Sequence, residues 1–370
     1  MPYKKEHPQT KRERITRRSF VAGTAAMTFA IVKPQLVRGT EANSKVKLGL
    51  IGCGGRGTWI AGLFKEHGGY EIVAGADYFR DRVDKFGDKI GVEAKYRYTG
   101  LSGYMKLLDS DLDAVAIESP PYFHPEHAEA AVEAGRHVYL AKPIAVDVPG
   151  CNTIASSGMK ASQKKLCFLV DFQTRANEFY IEALKRVHDG ALGDFAFGES
   201  SYHAGIPWKR QIKYLQDDAK NPENRLRAWG LDKVLSGDII TEQNIHTLDV
   251  ANWIMNKPPL YALGTCGQKV RKVGNCRDHF AVLFQYPDNV GVTFSSRQFE
   301  GHDSPGGIKN RMFGSKGVLE TKYGGNVIIR GENFYRGGKT SDIYGSGVVT
   351  NIGTFHKNIT EGNFDNSTVK

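Results

Sequence analysis

The sequence predicts an α/β protein with a doubly wound parallel sheet first and an α+β domain with a large, mainly antiparallel sheet after it. Three observations lead there. From Val46 onward short apolar runs alternate with amphipathic stretches of about ten residues, the rhythm of a parallel sheet covered by helices. After about Phe172 that rhythm gives way to strands joined by tight turns, which belongs to antiparallel pairing. With 370 residues the chain is long enough for two ordinary domains.

The first strand is read at Val46–Ile51, bounded by glycine, and a helix follows over about 56–65. Tyr70–Ala76 and Asp113–Ile117 read as further strands, and Pro125–Ala134 as an Ala/Glu-rich helix ended by Gly135. His137–Leu140 and Leu166–Phe172 complete the series, so the first domain is placed at 45–172 and the second at 173–370. In the second, a helix is expected over 178–187. Hairpins are expected across Pro287-Asp288-Asn289 and across Gly314-Ser315-Lys316-Gly317. Residues 203–230 carry Trp, Arg and Lys with little periodicity, and a long segment of that kind inside a domain usually serves function.

The formal charge of +10 does not mark a nucleic-acid binder. Residues 1–42 hold nine Lys/Arg against three Asp/Glu, leaving 41 against 37 in the rest, spread without a basic stripe. That leader ends its basic part in Thr16-Arg17-Arg18-Ser19-Phe20-Val21 and continues in an apolar run to Val32, too short to span a bilayer. It resembles a twin-arginine export signal, which implies a periplasmic or other extracytoplasmic location. The leader is cut after Thr40-Glu41-Ala42 or kept as an anchor. No stable membrane span is expected beyond it. The five cysteines are odd in number and lack metal-type spacing. Cys266 and Cys276 are close enough in sequence to pair in an oxidising compartment, and the sequence leaves that open.

Gly52-Cys53-Gly54-Gly55-Arg56-Gly57 stands between a strand and a helix. The first glycine permits a tight turn, the second lets main chain approach a pyrophosphate, and the third lets helix pack on strand. The helix start then offers free N–H groups and its positive end to the phosphates. Asp77 closes the second strand 20 residues after Gly57, where a carboxylate can accept ribose hydroxyls. This is a Rossmann fingerprint. Asp77 favours NAD by repelling a 2′-phosphate, while Arg80 and Arg82 close behind keep NADP as the other choice.

Open parallel sheets bind ligands beyond the carboxyl ends of their strands. Ser119–His124, with Pro120 and His124, and the stretch ending in Ala141-Lys142-Pro143 both fall there. Glu242, His246 and Asp249 are spaced to share one face of a helix. A carboxylate one turn from a histidine suits a general base, and it equally suits a structural pair. No third ligand is spaced to make a metal site, so none is expected.

Together these segments resemble the glucose–fructose oxidoreductase, inositol dehydrogenase and MocA family, in order, from about Lys45 to the C-terminus. The family's glycine motif matches Gly52, Gly54 and Gly57. Its Ala-Gly-Lys-His-Val…Glu-Lys-Pro motif matches Ala134–Val138 and Ala141-Lys142-Pro143. Its Asp-x-x-x-His-x-x-Asp segment matches Glu242, His246 and Asp249. The resemblance implies cofactor contacts from Gly52, Gly54, Gly55, Arg56, Gly57, Asp77, Pro120, His124 and Lys142. It implies catalysis by Lys142 and His246, with Glu242 holding the two in register, and a sugar, glycoside or polyol as the partner. Tyr202, His203, Trp208, Trp229 and Asp249 are the expected substrate contacts.

The implied reaction is hydride transfer between a nicotinamide and a secondary hydroxyl. Two alternatives are an NAD-dependent glycosidase that oxidises its sugar transiently, and a dinucleotide- or sugar-binding protein without turnover. Lys142 and His246 speak for turnover. A homo-oligomer is expected. Ala141, Glu242 and Asn244 depart from the family's usual Glu, Asp and small residue. Relatives usually continue past a segment like Phe364–Val369 into a closing helix, so a truncated C-terminus is expected.

Overall fold

A computed structural model describes residues 45–366. The export-signal reading of the leader therefore lies outside the described residues. The first sheet is built from β1 (Val46–Ile51), α1 (Gly55–His67), β2 (Tyr70–Asp77), α2 (Arg80–Ile90), β3 (Arg97–Thr99) and α3 (Gly103–Leu108). It continues through β4 (Ala114–Ile117), α4 (His124–Glu133), β5 (His137–Ala141), α5 (Val148–Gln163) and β6 (Phe168–Asp171). All six strands run parallel in the order β3-β2-β1-β4-β5-β6. The order reverses between β1 and β4, and the crevice above their carboxyl ends is where such sheets take ligands.

Alternation along each strand feeds two cores. Leu48 and Leu50 of β1 join Ala114 and Ala116 of β4 in the core beneath Ile60 and Phe64 of α1. Ile51, Val115 and Ile117 point the other way, onto Leu107, Ala128 and Ile154 of α3, α4 and α5. Both faces of the sheet are covered, so its strands read as nearly unbroken apolar runs.

The second part begins with α6 (Glu178–His188), capped by Asn177, and β7 (Phe195–Ala204). The 203–230 stretch, which carries little periodicity, folds into short helices: α7 (Ile212–Asp218) and α8 (Pro222–Arg227). Asn221 caps α8 by accepting the Glu223 and Asn224 amides, with Pro222 at the first helical position. Then come α9 (Lys233–Ser236), α10 (Asp238–Glu242), α11 (Ile245–Met255), β8 (Tyr261–Gly267), β9 (His279–Gln285) and β10 (Gly291–Gln298). β11 (Gly307–Gly314), β12 (Gly317–Lys322), β13 (Asn326–Gly331), β14 (Tyr335–Lys339) and α12 (Ile343–Glu361) close the series.

The eight strands lie in the order β14-β13-β12-β11-β7-β10-β9-β8, antiparallel except for the β7–β10 pair. One face packs on α6 and α11 through Leu184, Val250, Ile254, Met312 and Ile329. The other face is open, and edge strand β8 leaves Tyr261 and Leu263 exposed.

Helix α12 is the main departure from the sequence reading, which placed no helix there. It returns to the first sheet, burying Val348, Ile352 and Phe355 in the core beneath α1. Tyr70 donates to the Ile352 carbonyl and Asn351 to Asp171. Asn366 further bonds the Phe168 amide. The five cysteines are free: Cys276 is buried beside Ser236 and Cys266 is exposed on β8, so the pairing that spacing left open is not formed. No described helix is long and apolar enough to cross a membrane.

Candidate active site

The glycine run turns from β1 into α1 over the β4 end. Gly52 has φ +96°, and a Cβ there would stand 2.5 Å from the Glu118 carbonyl carbon and the Ser119 nitrogen. A Cβ at Gly57 would meet the Gly52 oxygen at 1.9 Å, so this residue sets how close helix and strand approach. Gly54 and Gly55 differ: a Cβ at either would meet nothing within 4 Å. That open space faces the start of a 13-residue helix with no side-chain cap, whose first amides remain for a ligand. These residues fit the pyrophosphate of a dinucleotide. Gly54, Gly55, Arg56 and Gly57 would hold it, with Asp77 at the ribose.

Asp77 accepts the Cys53 and Phe79 amides at 2.9 Å each, which ties the β2 end to the glycine run. Burial pushes its carboxyl above the ordinary range. Beyond it a small pocket is lined by Tyr78, Phe79, Arg82, Tyr104, Pro120 and Leu226, where the adenosine half would go. Arg80 is engaged with Thr99 and the Arg97 carbonyl, and Arg82 lies over the Phe79 ring.

Arg56 turns inward. It forms ion pairs with Glu118 at 3.0 Å and with Asp171, and it donates to Tyr344. Burial works against its charge, yet Glu118 and Asp171 hold it protonated. Glu118 is fully shielded at the β4 end. Burial raises it to about 7, with Arg56 pulling down and Asp171 pushing up. His124 is likewise buried, its two ring nitrogens each 2.7 Å from a main-chain oxygen, those of Ser119 and Pro143. Burial lowers it to about 4. It braces the ends of β4 and β5 at the floor of the cleft.

A cleft of about 440 Å³ runs from these strand ends to the second domain. Lys142, just beyond β5, donates to the Glu242 carbonyl at 2.6 Å and to Glu242 Oε1 at 3.0 Å, and both side chains are 8% exposed. An ammonium has three N–H groups, so one is left for a ligand oxygen. His246 faces the same cleft, packed on Tyr323 and Phe172. Its Nδ1 is buried without a partner. Burial, and then the charges of Lys142 and Arg56, hold its ring well below the usual imidazole range and therefore neutral.

Spacing put Glu242, His246 and Asp249 on one helix. The structure instead breaks the helix at Gln243–Asn244, between α10 and α11. Glu242 pairs with Lys142 rather than with His246. The break also turns Gln243 into the cleft, where its Nε2 donates to Glu242 Oε2 and its Oε1 accepts the Tyr202 hydroxyl, both at 2.6 Å. Asp249 does not line the cleft; Arg175 holds it on the outer flank with two bonds of 2.9 Å. His203 also lies elsewhere, since alternation along β7 turns Tyr202 inward and His203 to the open face beside Ser295. Trp208 and Trp229 do line the cleft, 5.6 Å apart. Gln243, Glu118 and Tyr323 have no signal in the sequence that marks them as lining residues.

A Rossmann sheet with a fitting glycine cradle, joined to a cleft holding a lysine, a carboxylate and a neutral histidine, defines an NAD-binding oxidoreductase of two-domain type. Family models agree. The NAD-binding Rossmann domain of the Gfo/Idh/MocA oxidoreductases matches 46–171, and the family's C-terminal domain matches 180–320. The chain belongs to the Gfo/Idh/MocA oxidoreductase family. It is 25% identical over 332 residues to myo-inositol 2-dehydrogenase of Thermotoga maritima, covering 86% of this chain and 89% of that one. It is 25% identical over 220 residues to a glycosyl hydrolase family 109 protein of a Shewanella strain, covering 53% of this chain and only 47% of that one. Among solved structures, a levoglucosan dehydrogenase in complex with NADH and levoglucosan superposes with a TM-score of 0.68. It is 17% identical and covers 88% of this chain and 94% of that one, a likeness of fold.

Proposed function

We propose that this protein oxidises a secondary hydroxyl of a sugar, glycoside or polyol, or reduces the matching ketone. The observation that carries the reading is the pairing of Lys142 with Glu242 in a cleft that also holds a neutral, unpartnered His246. Bound NAD supplies the hydride acceptor. The remaining N–H of Lys142 would meet the substrate oxygen and stabilise the alkoxide as it forms. Nε2 of His246, rather than the shut-off Nδ1, would take the hydroxyl proton. Glu242 fixes the ammonium between the two, and Gln243 and Tyr202 fix Glu242. Aromatic walls from Trp208, Trp229 and Tyr323, with neutral polar groups between them, suit a polyhydroxylated ring.

The test is NADH formation at 340 nm over a panel of inositols, free sugars and glycosides, with Lys142→Ala and His246→Ala alongside. Each substitution is expected to lower turnover by about a hundredfold or more. Undiminished turnover in both would sink the mechanism. A second reading, glycoside cleavage through transient oxidation, draws on the Shewanella match. It predicts nitrophenol release from a nitrophenyl glycoside without net NADH.

Two further parts of the proposal concern setting. The leader directs export by the twin-arginine route, which fractionation of cells carrying Arg17→Lys and Arg18→Lys would test. The open sheet face and exposed β8 edge suit a second copy of the chain, which native mass would test.

A further inference from the structure

The adenosine pocket beyond Asp77 is walled by the first domain except at Leu226, which α8 brings across from the second. Two latches hold α8 there. Arg227 donates to Asp81 at 2.8 Å, and its guanidinium lies 3.8 Å from the centre of the Phe79 ring. The Tyr78 hydroxyl donates to Glu223 at 3.1 Å. Tyr78 and Phe79 sit directly after Asp77 on the turn that a bound adenosine would lie against, and Asp81 follows in the first turn of α2.

We propose that α8 is a clasp on the adenosine half of the cofactor: Leu226 covers the base, and the Arg227–Asp81 and Glu223–Tyr78 contacts hold it shut. This goes beyond the fingerprint, because a glycine run and Asp77 account for the pyrophosphate and ribose without any help from the second domain. An apolar side chain that completes a wall around a purine removes water from it, and cofactor release then requires the latch to open. Arg227 serves the latch rather than a 2′-phosphate, since Asp81 and the Phe79 ring already engage it. The same connection carries Trp208 upstream and Trp229 downstream into the substrate cleft, so one segment touches both ligands. The inference rests on the NAD site and not on the identity of the substrate.

The experiment compares wild type with Leu226→Ala and Arg227→Ala. It follows NADH release on mixing with excess NAD, and the binding of AMP and of nicotinamide mononucleotide. The clasp predicts NADH release about 5–20 times faster and AMP affinity lower by a similar factor. Mononucleotide affinity and the ligand-free melting temperature of Leu226→Ala should stay as in wild type. Unchanged NADH release in Leu226→Ala would overturn the proposal. So would an equal loss of AMP and mononucleotide binding together with a lowered melting temperature, which would make α8 a domain brace and nothing more.

Discussion

Lys142 Nζ sits 3.0 Å from Glu242 Oε1 and 2.6 Å from the carbonyl oxygen of the same residue, so one residue of the second domain accepts two of the three ammonium protons. The pair joins the end of the parallel sheet to the break between α10 and α11. It is almost shut off from solvent, where an unpaired charge is costly.

Glu242→Gln keeps an acceptor near Lys142 but removes the countercharge. We expect a loss of about 2–3 kcal/mol in stability and a fall in kcat of about 10- to 100-fold with little change in NADH affinity. Glu242→Asp keeps the charge on a shorter arm, so it should recover most of the stability and less of the rate. Equal kcat for Gln and wild type, measured at saturating substrate, would remove Glu242 from the machinery.

Burial, Lys142 and Arg56 all act to keep His246 neutral. Its folded value lies below the unfolded 6.5, so the proposed base stays available as pH falls through 6.5 and is lost only at lower pH. The acid limb of kcat/KM is therefore expected well below the 6.5 of a free imidazole. By the same sign, the unfolded chain binds the proton first, and His246 subtracts stability as pH drops from 6.5 toward that folded value. A limb at or above pH 6.5 that persists in Glu118→Gln would assign proton transfer to another group.

What the sequence shows of this site is what depends on local backbone. The roles of Gly52 and Gly57 follow from their neighbours in the chain, and Lys142 is placed by the end of a strand. The partners are another matter. No proline or glycine marks the break at Gln243–Asn244, so spacing alone runs one helix through it and pairs Glu242 with His246. Glu118 follows the apolar strand Ala114–Ile117 and looks like its wet end until Arg56 and Asp171 are seen around it. Helix α12 is diluted by Gly345, Gly347 and Gly353, and packing on the first sheet overrides that weak propensity. Leu226 joins the adenosine pocket only through tertiary contact.

Glu118 carries its own pH signature. Its carboxyl is raised to about 7 from 4.5, so between those values the native state holds a proton that the unfolded chain has released. Stability from this group is present below pH 4.5 and lost as pH rises through 7, opposite in sign to His246. Glu118→Gln removes the buried charge while Asp171 still pairs with Arg56. We expect the variant to be more stable than wild type at pH 8 by roughly 1–3 kcal/mol and to lose the advantage near pH 5. Denaturant melts at the two pH values check it, and a variant less stable at pH 8 would mean that the Arg56 pair outweighs the burial of charge.

Trp208 adopts φ +48° and ψ +38°, a left-handed conformation that costs a residue with a bulky side chain about 1 kcal/mol or more. Its indole is laid over Gly230, where a Cβ would meet three ring atoms at 2.5–2.8 Å, and Gln211 braces the same glycine by accepting its amide. The bare glycine therefore sets where the ring stands in the cleft. Gly230→Ala should displace the indole without touching Lys142, His246 or the glycine cradle. If the ring is the surface on which the substrate stacks, KM rises about 5- to 50-fold, kcat moves far less, and NADH affinity stays put. Trp208→Phe should sit between wild type and Trp208→Ala in KM. A KM unmoved in Gly230→Ala and Trp208→Ala alike would return Trp208 to simple packing and leave the substrate held by Tyr202, Tyr323 and the polar groups between them.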